Sequence, residues 1–227
     1  KEPVSGKWVD VNKGGPGEMI VRSRYVARDF KGKERRRDDL FAATPPLEAK
    51  RWLLSRAASN RKERRRKLLL IDVRKAHLNP KCNQDVYVQL PEEAGAAKGM
   101  CGKLVHWLYG CRPAARAWED HYAEKLEGVG FVRGAGSGVV FDHEGRDVSA
   151  VVHGDDFTFC GYDEDLDWVQ ALMWEWFEIK VRARLGADEK DEKEVSILGR
   201  TVRWCDWGIE YEADEKHRRI FLEQLGL

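Results

Sequence analysis

The sequence predicts an α+β fold, and three observations carry that reading. Helical and strand-like periodicities are mixed along the chain without a regular βαβ rhythm. Glycine-bearing turns separate the strand-like runs, which favours antiparallel hairpins. With 227 residues, 42% hydrophobic and 35% charged, the chain is long enough and apolar enough for a real core, as one large domain or two small lobes.

The elements follow in order. "GKWVDVNKG" and "EMIVRSRYVARDF" alternate apolar and polar residues around "GGPG", the pattern of an antiparallel hairpin. After Pro45-Pro46, "LEAKRWLLSRAAS" carries a helical stripe through Leu47, Trp52, Leu53 and Ala57. "KLLLIDV" (Lys67 to Val73) is a short continuous apolar run, as in a central buried strand, and "DVYVQL" and "GKLVHWL" are further strand candidates. "PAARAWEDHYAEKLEGVG" is a helix with Pro113 near its start and glycines at its end. Three strand-like runs then join through "EGRD" and "GDD". "DEDLDWVQALMWEWFEIK" is a helix opened by acids that suit its dipole, with Trp168, Trp174 and Trp176 expected in the core. "EVSILGRTVRW" and "WGIEYEA" read as strands and "DEKHRRIFLEQLGL" as a final helix.

Formal net charge is only +1, so no global basic field advertises a polyanion. Two basic blocks stand out locally, Lys31 to Asp39 and Asn60 to Leu70. Five cysteines without a dense framework predict a reduced, intracellular protein. Cys101, His106 and Cys111 match no common zinc spacing. No apolar stretch approaches membrane-spanning length and no signal peptide opens the chain, which reads as a piece of something longer.

The chemistry concentrates in carboxylates. In "AVVHGDDFTFCGY", Asp155 and Asp156 interrupt an apolar run, and Gly154 and Asp155 are turn formers between two β-rich stretches. A hairpin tip would let both acids project past the sheet edge. A third acid, Asp72, ends the apolar run of "LLLIDV", where a carboxylate is costly unless paired, hydrogen-bonded or bound to metal. If those strands are neighbours, Asp72 and Asp155 come together. Hard oxygen donors of this kind suit Mg²⁺ with substrate phosphates, and two such ions can activate a hydroxyl and stabilise a leaving pyrophosphate.

The order of motifs resembles the reverse transcriptase domain of copia-type LTR retrotransposon polyproteins. "GKWVDVNK" is similar to that family's KWV-F-K strand, and "VRSRYVARDF" to YKARLVAKGF. "DDLFAATPPLEAKRWLLSRAA" resembles ETFAPV-x-R-LESIRLLLALAA, "IDVRKAHLNP" resembles MDVKTAFLNG, and "DVYVQLPEE" resembles EIYMEQPPGF. "LYGCRPAARAWEDHY" looks like LYGLKQSPRAWY, "VVHGDDFTFCG" like YVDDILIAG, and "FEIKVRARLG...VSILGRTV" like FEMKDLG...FLGIEV. The likeness runs in unbroken order from about Lys7 to the end.

The resemblance implies a right-hand polymerase: fingers over about 1–66, palm mainly over about 67–212, and the start of the thumb connection over about 213–227. The thumb would be largely absent and the palm sheet antiparallel, packed on helices. Asp72, Asp155 and Asp156 match the catalytic, metal-binding aspartates, implying two Mg²⁺ ions with Mn²⁺ as a substitute. Arg22, Arg24, His77, Tyr109 and Gly110 match dNTP-binding positions. His153, Gly154, Arg116, Leu198 and Gly199 match positions that hold primer or template. The implied partners are a primed RNA or DNA template, dNTPs and the integrase and RNase H domains of a polyprotein, with no membrane. The implied location is a cytoplasmic particle or the nucleus, not outside the cell.

Three departures from the family bear on mechanism. His77 replaces the aromatic, usually Phe, that packs under the sugar and rejects a 2′-hydroxyl. Pro113-Ala114-Ala115 stands where the family has Gln-Ser-Pro, and His153-Gly154 where it has Tyr-Val. Trp118 is expected in the core. The function read from the sequence is RNA-directed DNA polymerisation by two-metal nucleotidyl transfer. The alternatives are a decayed or domesticated domain that grips nucleic acid without polymerising, and an α+β domain whose acids bind a structural cation.

Overall fold

The computed structural model describes residues 2–15, 17–29, 40, 42–59, 64–197, 199–213 and 215–226. In chain order the elements are β1 (Gly6–Asn12), β2 (Val21–Ala27), α1 (Leu47–Ala58), β3 (Lys67–Val73), β4 (Tyr87–Gln89), β5 (Cys101–Lys103) and α2 (Ala114–Gly128). They continue with β6 (Val132–Gly134), β7 (Ser137–His143), β8 (Val148–His153), β9 (Asp156–Gly161), α3 (Asp163–Trp176) and β10 (Ile179–Leu185). β11 (Glu194–Ile197), β12 (Arg200–Cys205), β13 (Gly208–Ala213) and α4 (Glu215–Leu225) complete them. Helices and antiparallel sheets are mixed, so the chain is α+β. The run "EVSILGRTVRW" forms two strands rather than one, broken by a turn in which Gly199 has φ +72°.

Two compact units form, each from two separated stretches: Lys1–Ala42 with Lys75–Lys125, and Ala43–Arg74 with Leu126–Leu227. This partition differs from the expected boundary near residue 66. The reason lies in α1, which buries Ala49, Leu53, Leu54 and Ala57 against Leu68 and Leu70 of β3, and so belongs with the sheet.

In the first unit β1 and β2 pair antiparallel, with Val9 opposite Arg24 and Val11 opposite Arg22. Their other face is pinned by Trp8 edge-on to Tyr25, whose hydroxyl donates to the Gln89 carbonyl at 2.7 Å. β4 pairs with β5. A small core gathers Ala27, Trp107, Cys111 and Ala114. Gly110 has φ +84°, and a Cβ there would lie 2.0 Å from the Ala27 carbonyl oxygen, so only glycine fits.

The second unit is built on a six-stranded sheet of order β10-β3-β9-β8-β7-β6. β3 lies between β10 and β9 and is buried along nearly its whole length, which is why it reads as an unbroken apolar run. One face presents Leu68, Leu70, Cys160, Val151, Ala183 and Leu185 to α1, joined by Val202 from a second sheet of order β11-β12-β13. On the other face Phe159 approaches Phe131, which stacks on Trp168 of α3 at 6.1 Å. The buried stripe of α3 is Leu166, Val169 and Met173; Trp174 is 55% exposed, contrary to expectation. Trp52 on α1 is likewise exposed, because the stripe that meets the sheet runs through Ala49, Leu53 and Leu54.

Within the described part of the second basic block, Arg64 and Arg65 are exposed, whereas Arg66 and Lys67 are buried. Arg64 pairs with Glu164, and Arg66, almost fully buried, pairs with Asp147, which Arg56 also grips. Lys67, at the start of β3, is buried, and its ammonium donates to Asp163 at 2.7 Å, Asp188 at 2.5 Å and Asp191 at 3.1 Å. Burial works against the Lys67 charge, yet the three carboxylates more than offset it and hold the ammonium above its ordinary range. Gly186 makes room: a Cβ there would meet Asp191 Oδ2 at 2.4 Å and Lys67 Cγ at 2.8 Å. Residues 31–39 and 60–63 of the two basic blocks lie outside the described residues. Among the described residues no helix is long and apolar enough to cross a membrane.

Candidate functional site

The acids stand at the carboxyl end of β3 and at the hairpin joining β8 to β9. Gly154 and Asp155 form its two-residue turn, and Gly154 has φ +63°. A positive φ at the first of two turn residues is what a type II′ hairpin needs, and glycine supplies it without strain. Asp155 is exposed in the turn, and its carbonyl accepts a hydrogen bond from the Val73 amide at 2.8 Å, fastening the turn to the end of β3.

Strand register then places the side chains. β3 and β9 are neighbours, and Asp72 lies directly opposite Asp156, with Asp155 one residue away in the turn. On the flanking strands Lys180 opposes Asp72 and His153 opposes Asp156. Directly opposed residues share a face. A single row, Lys180–Asp72–Asp156–His153, therefore crosses four strands, with two carboxylates at its centre. The next rows on that face are the apolar ones beneath α1, so the acids mark where the buried surface ends.

Asp156 is half-buried and its carboxyl is pushed above the ordinary range. Burial is the main cause, and the neighbouring charges of Asp155 and Asp72 add to it, while Arg182 works against it. The Arg182 guanidinium donates to Asp156 Oδ1 at 3.1 Å and to the Ser196 carbonyl at 3.2 Å. Lys50 of α1 lines the adjoining apolar pocket with His153, Asp156, Thr158 and Tyr211. Its ammonium is shifted down, chiefly by burial and then by Arg200, with Asp156 opposing.

Among the described residues, no three His, Cys, Asp or Glu side chains are gathered as a ready metal set. The donor chemistry nevertheless suits a hard divalent cation. Asp72, Asp155 and Asp156 offer oxygen alone, and a cation would offset the burial that chiefly raises Asp156 and, after it, the like charges of Asp155 and Asp72.

The first unit carries the candidate nucleotide residues, described by themselves. Arg22 and Arg24 lie on the exposed face of β2. The Arg24 guanidinium sits 5.3 Å from the centre of the Tyr109 ring, within cation–π range. On Tyr109 also packs His77, with centroids 4.8 Å apart and planes tilted by 40°. The Tyr109 carbonyl accepts from the Ala27 amide at 2.8 Å, and Gly110 allows that approach. Residues far apart in sequence thus make one row, Arg24–Tyr109–His77.

Arg116 is partly exposed on α2 and paired along its own helix. It is held by Asp120 at 2.8 Å and Glu119 at 3.5 Å on its own helix, and the Asp120 hydrogen bond leads the upward shift of its guanidinium. Trp118 is 1% exposed, as expected for a core residue. Leu198 lies outside the described residues, and Gly199 occupies the β11–β12 turn. Sequence reasoning missed Lys50, Arg182 and the Lys67 cluster.

No family model matches the chain.

Proposed function

We propose that the chain is the fingers–palm portion of an RNA-directed DNA polymerase of the copia type. The observation that best supports this is the register of β3 and β9, which sets Asp72 opposite Asp156 with Asp155 in the adjoining turn. Asp72, Asp155 and Asp156 would hold the divalent cations. Bound there, such ions would supply an activated primer hydroxyl and neutralise charge on a leaving pyrophosphate. The protein's own part is placement: β3 fixes Asp72, the II′-like turn fixes Asp155, and the apolar rows below keep water from one side of the acids. Arg22 and Arg24 would grip triphosphate oxygens, with Tyr109 and His77 beneath the nucleoside.

Primer extension on an RNA template in Mg²⁺ tests this directly. Template-dependent addition of dNTPs is the expected result. Tight primer–template binding with no extension at any divalent ion would instead favour the remnant that grips nucleic acid without polymerising.

His77 carries a separate expectation. A phenyl ring excludes the volume where a ribose places its extra hydroxyl, whereas imidazole leaves a gap and offers a hydrogen bond. One packing contact is worth about 1–3 kcal/mol, or roughly 10–200-fold in selectivity. His77→Phe is expected to improve discrimination against rNTPs by about that factor, with dNTP incorporation little changed. Equal dNTP-to-rNTP efficiency ratios in the two proteins would remove His77 from the sugar site.

A further inference from the structure

We propose that Arg182 is a built-in counter-ion that competes with divalent cation for Asp156. The proposal rests on the polymerase reading of the acid row. β10 pairs with β3 through Val181 opposite Ile71 and Ala183 opposite Leu70, so the register slips at Arg182, which is the extra, bulged residue. Bulges re-aim a side chain out of the regular alternation. Here the re-aimed side chain must cross β3, because β3 separates β10 from β9 in the sheet. Two strand spacings are roughly 9–10 Å, a distance an extended arginine covers with backbone help from the bulge.

The guanidinium has two engagements. One nitrogen donates to Asp156 Oδ1 at 3.1 Å and the other to the Ser196 carbonyl of β11 at 3.2 Å. The β11 anchor holds the charge over the acids whether or not Asp156 accepts it. Both partners remain partly open, with side chains 35% and 27% exposed, so a hydrated cation can reach the carboxylate. A positive charge in hydrogen-bond contact with a ligand oxygen both occupies a lone pair and repels a second cation. Lys180, opposite Asp72, and Lys50, across the pocket, add to the same positive surround. Arg182 alone of the three makes a hydrogen bond to Asp156. With the cation absent, Arg182 would offset the charge of the acids; with it present, Arg182 would release Asp156 and keep its bond to the Ser196 carbonyl.

Calorimetric titration with Mn²⁺, without nucleic acid, is the test, using wild type, Arg182→Gln, Arg182→Lys and Asp156→Asn. Circular dichroism melts check that each variant folds. Arg182→Gln is expected to bind Mn²⁺ at least about tenfold more tightly than wild type. Arg182→Lys, which keeps charge but lacks the two-pronged grip, should fall between. Asp156→Asn should lose the binding that Arg182→Gln strengthens. If Asp156→Asn abolishes Mn²⁺ binding but Arg182→Gln leaves it unchanged or weaker, the counter-ion proposal is overturned and the metal site stands. If no folded variant binds Mn²⁺ through Asp156, the polymerase reading fails and this proposal fails with it.

Discussion

Asp72→Asn is expected to reduce primer extension at least about 10³-fold, since a metal-borne charge is worth several kcal/mol in the transition state and each 1.36 kcal/mol is a decade. The replacement is nearly isosteric and leaves the β3 backbone pairing intact. It also removes one of two like charges directly opposed across β3 and β9, an arrangement that costs stability. The fold should therefore melt at the same or a slightly higher temperature while extension is lost. Primer–template affinity should change by less than about threefold, because the ions act mainly as charge develops in the transition state. Wild-type extension by a folded Asp72→Asn protein would take Asp72 out of the chemistry. Parallel loss of fold and activity would reduce it to a structural acid.

Lys67→Met is expected to destabilise the chain by about 3–5 kcal/mol, the range for breaking a buried ion cluster from one side. Methionine restores the apolar stem of lysine but leaves Asp163, Asp188 and Asp191 facing one another, with the Asp191 side chain only 1% exposed. Urea unfolding at neutral pH reads the loss. The pH dependence supplies a second reading. Burial alone would raise the Asp163 carboxyl, but the Lys67 hydrogen bond outweighs it and the net shift is downward. At Asp188 the same hydrogen bond is the leading cause of a downward shift. Carboxyls lowered on folding contribute stability above their unfolded value of about 3.9, and that contribution is lost as pH falls through the lowered folded values. In Lys67→Met the part of that contribution supplied by Lys67, the leading downward cause at both carboxyls, is missing at every pH. The gap between wild type and variant should therefore be widest near neutrality and shrink below about pH 4. A constant gap down to pH 2 would mean that packing of the lysine stem, not its charge, carries the effect.

Much of the acid-bearing sheet was legible beforehand. The run "KLLLIDV" is β3 residue for residue, because a strand buried on both faces leaves an unbroken apolar signature. The "GDD" turn was legible because glycine and aspartate are turn formers between β-rich runs. Register was not. Whether Asp155 or Asp156 opposes Asp72 depends on a one-residue choice in the turn, and a shift of one residue moves a side chain to the other face. The bulge at Arg182 was hidden for the same reason. Trp174 misled because helical spacing identifies a stripe without saying which stripe meets the sheet, and here Leu166, Val169 and Met173 do. The ion pairs of the basic block were not legible because the charge partners of Arg64, Arg66 and Lys67, namely Glu164, Asp147, Asp163, Asp188 and Asp191, lie 81 to 124 positions away in sequence.

The place of β3 between β9 and β10 has a consequence for synthesis. Its partners come late: Asp72 pairs with Asp156, 156 − 72 = 84 positions on, and Leu68 with Leu185, 185 − 68 = 117 positions on. At translation rates of roughly 5–20 residues per second, Asp156 follows Asp72 by about 4–17 s. Throughout that interval a Leu-Leu-Leu-Ile strand has emerged with neither hydrogen-bonding edge covered by its sheet partners, the condition under which strands pair with other chains. Such long-range pairing is also slow to form once the partners arrive, since loop closure must precede the contacts that reward it. The strand that positions Asp72 is thus the one most exposed to misassembly on the ribosome, and yield of folded protein should depend on what shields β3 until β9 arrives.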